Sequence, residues 1–61
     1  MSITYKIFNE MNLNGFNVTF DTIDTILNGK GTKADGDITD IIESLRLCNT
    51  ASAAELINAI A

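Results

Sequence analysis

Residues 28–37, Asn-Gly-Lys-Gly-Thr-Lys-Ala-Asp-Gly-Asp, hold three of the chain's four glycines and two of its four basic residues. Lysines set between glycines can cradle a phosphate, because glycine lets backbone amides approach the anion while lysine supplies the countercharge. Aspartates on either side of a glycine can offer oxygen ligands to a hard cation. Cys48 is the single thiol, and Asp21, Asp24, Asp40 and Glu43 flank the same stretch. Phosphate binding, cation binding, thiol chemistry and acid–base chemistry are therefore the reactions to weigh.

A phosphate cradle requires G-x-x-x-x-G-K-[ST] between a strand and a helix. Counting back from Gly29-Lys30, Asp24 occupies the place of the first glycine, and Gly31 stands where serine or threonine is needed. A helical pattern, not a strand, precedes it. Asp35-Gly36-Asp37-Ile38 resembles the centre of an EF-hand or dockerin loop over four residues only. With Gly36 as the loop glycine, Gly31 and Lys33 fall on the first two ligand positions, and Ile42 falls where a bidentate glutamate belongs, with Glu43 one residue out of register. No metal or cofactor is expected. The lysines read as solvated loop residues, and the aspartates as capping acids, favoured by about 0.3–1 kcal/mol each at a helix N-terminus.

Catalysis lacks its usual parts. Histidine is absent, so nothing of that kind can activate Cys48, which follows the apolar Leu47 and reads as a small core residue. Paired carboxylates do acid–base work only when one is desolvated in a cleft, and a 61-residue chain has little room for one. An enzyme is not expected. A helix-turn-helix built from the last two helices is not expected either. The second of them offers Asn58 and Glu55 but no lysine or arginine for base edges and phosphates.

Charge is unevenly placed. Lys6 balances Glu10 and Arg46 balances Glu55, while Asp21, Asp24, Asp35, Asp37, Asp40 and Glu43 face only Lys30 and Lys33, which accounts for the net −4. Such a field repels phosphate backbones and attracts basic protein surfaces. The N-terminal residues lack the basic head and apolar run of a signal peptide, and no apolar stretch reaches the roughly 18 residues of a membrane span. With a lone cysteine, a cytoplasmic setting is the expectation. Asn17-Val18-Thr19 fits a glycosylation sequon, but so short a motif recurs by chance.

The elements that must carry these residues are helices, in one small domain over residues 1–61. Ile3, Ile7, Phe8 and Met11 share a helical face over 3–13, ending at Asn14-Gly15, although Ile3, Tyr5 and Ile7 also alternate as an extended segment would. Phe16-Asn17-Val18 reads as a connector. Phe20, Ile23, Ile26 and Leu27 predict a helix over 20–28, with Thr19 as N-cap and Gly29 as stop. Ile38, Ile41, Ile42 and Leu45 predict a helix over 38–47, capped by Asp37, with Glu43 and Arg46 placed to pair. Ser52-Ala53-Ala54-Glu55 matches a capping box opening a helix over 53–60, with Cys48–Ala51 as the connection before it. Leu56, Ile57 and Ile60 form its apolar face, and alanines cover much of the remainder, so further cover by a partner is expected.

The fold class expected is all-α, a bundle of about four short helices. A chain of this size buries only about 60% of the surface exposed when unfolded, so self-association or a partner is a natural source of added stability. The function expected is that of a small acidic protein–protein interaction module. It would act as a regulator or inhibitor of a larger intracellular protein, as bacterial or phage accessory proteins do by occlusion, or would self-associate. The partner-facing candidates are Asp21, Asp24, Asp35, Asp37, Asp40, Glu43, Leu56, Ile57 and Ile60. The alternatives are an acidic nucleic-acid mimic that blocks a basic groove, and a structural subunit of a homo-oligomeric assembly.

Overall fold

The computed structural model describes residues 2–29 and 35–61, with 35–37 described by their backbone alone. Four helices are present: α1 (Ile3–Leu13), α2 (Phe20–Asn28), α3 (Asp35–Cys48) and α4 (Ala51–Ile60), and no strand occurs among the described residues.

The N-terminal ambiguity resolves as helix. Ser2 Oγ accepts the Tyr5 N–H at 3.2 Å, capping α1. Thr4, Ile7 and Met11 are buried along one face, while Tyr5 is 41% exposed, so the apparent alternation of Ile3, Tyr5 and Ile7 does not sort residues by burial. Gly15 stops the helix with φ +94°, a left-handed conformation that glycine adopts without the Cβ penalty. Its N–H donates to the Asn12 carbonyl (3.2 Å) and the Phe16 N–H to the Met11 carbonyl (2.9 Å), the paired bonds of a Schellman ending. Phe16 then folds back, half-buried, against the core. Asn12 Nδ2 reaches the Val18 carbonyl at 3.0 Å and so ties the extended connector to α1.

Thr19 caps α2 as expected, its Oγ1 accepting the Thr22 N–H at 3.1 Å. Gly29 closes α2 as expected, and it does so without a left-handed turn. Its φ is −67°, and a Cβ there would run into the Thr25 carbonyl oxygen, so glycine is required by close backbone approach.

The boundaries of the last two helices differ from expectation. α3 begins at Asp35, three residues early, so Asp37 lies inside the helix instead of capping it. Aspartate is favoured anywhere in a first turn, which leaves the local pattern compatible with either start. α3 also runs on to Cys48, where Asn49 turns the chain at φ +55° and donates its N–H to the Arg46 carbonyl at 3.1 Å. The connection is then two residues, Asn49 and Thr50. Thr50, not Ser52, caps α4, with Oγ1 accepting the Ala53 N–H at 3.0 Å. The same hydroxyl donates to Glu10 Oε2 at 2.7 Å, a tie forty residues back that no local pattern reveals. Among the described residues Glu43 and Arg46 form no ion pair. Both are exposed, where such a pair contributes little.

α1 and α3 each pack against all three other helices, and α2 and α4 flank them without meeting. The core draws Ile7 and Met11 from α1, Ile23 from α2, Ile41, Leu45 and Cys48 from α3, and Ala53 and Leu56 from α4. Beside it sits one buried polar side chain. The Thr4 hydroxyl accepts from Asn28 Nδ2 at 3.0 Å, and the same amide reaches Asp24 Oδ1 at 3.0 Å, joining the end of α2 to the start of α1. The radius of gyration, 10.6 Å, matches the roughly 10.5 Å expected of a self-contained chain of this length. The eight core residues are each 9% exposed or less, so the core is closed within one copy.

Two stability predictions follow from these ties. Thr50→Ala should cost about 1–2 kcal/mol in urea unfolding, and Ser52→Ala only a few tenths, because the cap is Thr50. Asn28→Ala should cost about 1–3 kcal/mol by leaving the buried Thr4 hydroxyl without its donor. Adding Thr4→Val should recover much of that loss in a double-mutant cycle.

Candidate functional site

The expected acidic surface is only partly described. Lys30 and Lys33 lie outside the described residues, as do the side chains of Asp35 and Asp37. Asp21 is exposed in the first turn of α2, and Asp24, one turn on, is half-buried and held by Asn28 Nδ2. Asp40 and Glu43 are both exposed, one turn apart on α3. No hydrogen bond joins the α2 pair to the α3 pair among the described residues.

The apolar face of α4 turns inward. Leu56 is 7% exposed, and Ile57 and Ile60 are half-buried against the same cluster. Outward, α4 shows Ala51, Ser52, Ala54, Glu55, Asn58 and Ala59. Exposed alanines offer a methyl each, so the helix needs less outside cover than its overall hydrophobicity suggested. Leu56 is committed to the chain's own core.

The uncovered apolar side chains are elsewhere. Leu13 and Leu47 are each 75% exposed, and Tyr5 and Phe20 are 41% and 43% exposed. Leu13 is the last residue of α1 and Leu47 the next to last of α3, and Thr50, two residues past α3, bonds Glu10 in the last turn of α1. Tyr5 contacts Phe8 edge-on, with centroids 6.3 Å apart, and Phe8 contacts Phe20 at 6.0 Å. The three rings make one continuous strip across α1 and α2. A sequence signal for both leucines existed, since each falls out of phase with the buried stripe of its own helix. The aromatic strip had no such signal, because it is assembled across two helices.

A groove of about 290 Å³ lies between α1 and α4, lined by Lys6, Asn9, Glu10, Ser52, Glu55 and Leu56. Glu10 is pinned there on Oε2 by Thr50 and by Asn14 Nδ2 at 3.0 Å. One cation against two carboxylates suits an electrostatic contact. The lining has no thiol or imidazole for nucleophilic work. Among the described residues no cluster of histidine, cysteine, aspartate and glutamate could hold a metal ion, and no helix is long and apolar enough to cross a membrane.

Cys48 sits in the core at the end of α3. Burial pushes its thiol pKa up, and the negative charge of Glu10 adds to the rise. The group is therefore a protonated packing residue at neutral pH, poor as a nucleophile.

Ellman's reagent should label Cys48 slowly in the native protein at pH 7.5 and rapidly once urea unfolds it. Above the ordinary thiol value the unfolded chain binds fewer protons than the folded one, so stability falls as pH rises from there to the folded value and is unaffected below. Urea midpoints taken from pH 7 to pH 10 should therefore decline more in the wild type than in Cys48→Ala.

Compared with known proteins, the chain matches no family model, no curated protein and no solved structure, and its function is to be read from its own surface.

Proposed function

We propose that this chain is a small acidic protein-interaction module that regulates or inhibits a larger intracellular protein by docking on it. The observation that supports this reading is the set of uncovered large apolar side chains. The core is closed within one copy, yet Leu13 and Leu47 stay three-quarters exposed, and Tyr5 and Phe20 stay close to half-exposed. Leaving a leucine in water forgoes about 1.5–3 kcal/mol available from burial. Docking against a partner recovers that energy at the interface. The excess of acid over base favours a partner with a basic surface, and electrostatic steering would speed its approach. A cytoplasmic setting belongs to the same proposal.

Self-association uses the same apolar residues and is the nearest alternative. Nucleic-acid mimicry would instead rest on Asp21, Asp40 and Glu43, all exposed. The two mechanisms respond differently to salt. Apolar docking persists as ionic strength rises, whereas mimicry collapses between low and moderate salt.

The Leu13→Ser/Leu47→Ser double variant should keep its helical circular dichroism, because both sites are exposed, and should lose association. Light scattering reads self-association and capture from a lysate reads partner binding. A wild-type chain that stays strictly monomeric and captures nothing would overturn the proposal.

A further inference from the structure

We infer that the α1–α2 face carrying Tyr5, Phe8 and Phe20 takes an arginine-bearing segment of a partner protein. This rests on the interaction-module reading and specifies the partner's chemistry. The strip is continuous through ring contacts of 6.3 and 6.0 Å, at interplanar angles of 89° and 74°. Its outer rings, Tyr5 and Phe20, meet Phe8 edge-on and stay 41% and 43% exposed, which leaves aromatic surface for a planar cation.

Charge selects the occupant. Asp21 follows Phe20 and is exposed, and Asp24 lies one turn beyond Phe20 on the same side of α2. α2 has no basic residue from Phe20 to Asn28. The basic residue of α1, Lys6, lines the groove on the opposite side, toward α4. Among the described residues the face is thus aromatic and acidic, with no basic side chain on α2. That combination repels phosphate, which disfavours nucleic acid or an anionic membrane as the occupant. It suits guanidinium better than ammonium, because arginine stacks on a ring and pairs with a carboxylate through a planar fork, whereas lysine presents a strongly hydrated point charge.

The chain has one tyrosine and no tryptophan, so its intrinsic fluorescence reports from Tyr5 alone, at the proposed site. The test titrates the intact protein with three peptides of equal length in glycine spacers, carrying two arginines, two lysines or two glutamates. Amide shifts in two-dimensional NMR run in parallel. The arginine peptide should saturate the fluorescence change and shift the amides of residues 5, 8, 20 and 21. It should bind about fivefold more tightly than the lysine peptide, and the glutamate peptide should not bind.

Asp21→Asn, at an exposed site that leaves the core intact, should weaken arginine binding about fivefold. Phe20→Leu should erase the arginine-over-lysine preference while helical circular dichroism is retained. Equal affinity for arginine and lysine, shifts centred on the α1–α4 groove, or unchanged binding in both variants would overturn the inference. Self-association that Phe20→Leu abolishes would overturn it too, by making a second copy the occupant. If association through Leu13 and Leu47 persists while the arginine peptide fails, the module reading stands and this assignment falls.

Discussion

Ile7, Ile23 and Leu45 have no accessible surface, and they come from three different helices. Helices of nine to fourteen residues are marginal on their own, because nucleation is costly and propensity adds little over so short a length. Each helix therefore persists through the face it buries against the others. Leu45 lies in α3, which like α1 touches every other element, and the loss of either helix would uncover the whole cluster. The domain is small enough that a single core must serve all four helices at once.

Around that core, three side chains carry the connections that close packing alone would leave loose. Asn12 ties the connector to α1, Asn28 ties the end of α2 to Thr4, and Thr50 ties the α3–α4 corner to Glu10. Each joins residues that the chain brings back on itself. Two of the three also touch a carboxylate. Asn28 shares its amide with Asp24, and Thr50 donates to Glu10, so part of the acidic charge serves structure before it serves any partner. Of the other acids whose side chains are described, Asp21, Asp40, Glu43 and Glu55 are all exposed.

The surface left after these commitments differs from a uniformly polar shell. Leucines stand out at the ends of α1 and α3, and three aromatic rings run across α1 and α2 beside acids. Single exposed apolar residues are ordinary in any protein. The proposed docking would draw on a continuous aromatic strip next to carboxylates, with apolar area for affinity and charge for selection. The α1–α4 groove instead places Lys6 beside Glu10 and Glu55 and has no aromatic ring in its lining.

How much of this was legible in the sequence differs by element. Stripe spacing at 20–27 and 38–45 determined two helices, because period 3.6 is a property of the chain itself, and it located Ile23, Ile41 and Leu45 in the core, though Phe20 of the same stripe stays 43% exposed. Thr19 was legible as a cap because it acts on a neighbour three residues away. Gly29 was legible as a stop, though its reason, a carbonyl too close for any Cβ, belongs to the folded backbone. The cap of α4 was not legible. Ser52 matches the local signature better, yet Thr50 is the cap, and its hydroxyl also bonds Glu10 of α1, a contact outside any local pattern. Leu56, expected on a partner-facing surface, lies 7% exposed in the chain's own core, since counting apolar residues cannot say which neighbours already cover them. The sequence alone determined an all-helical, acidic chain without histidine. Only tertiary packing decided that α4 turns its leucine inward and that Tyr5, Phe8 and Phe20 meet across two helices, because burial and adjacency are properties of pairs of elements and not of any one stretch of chain.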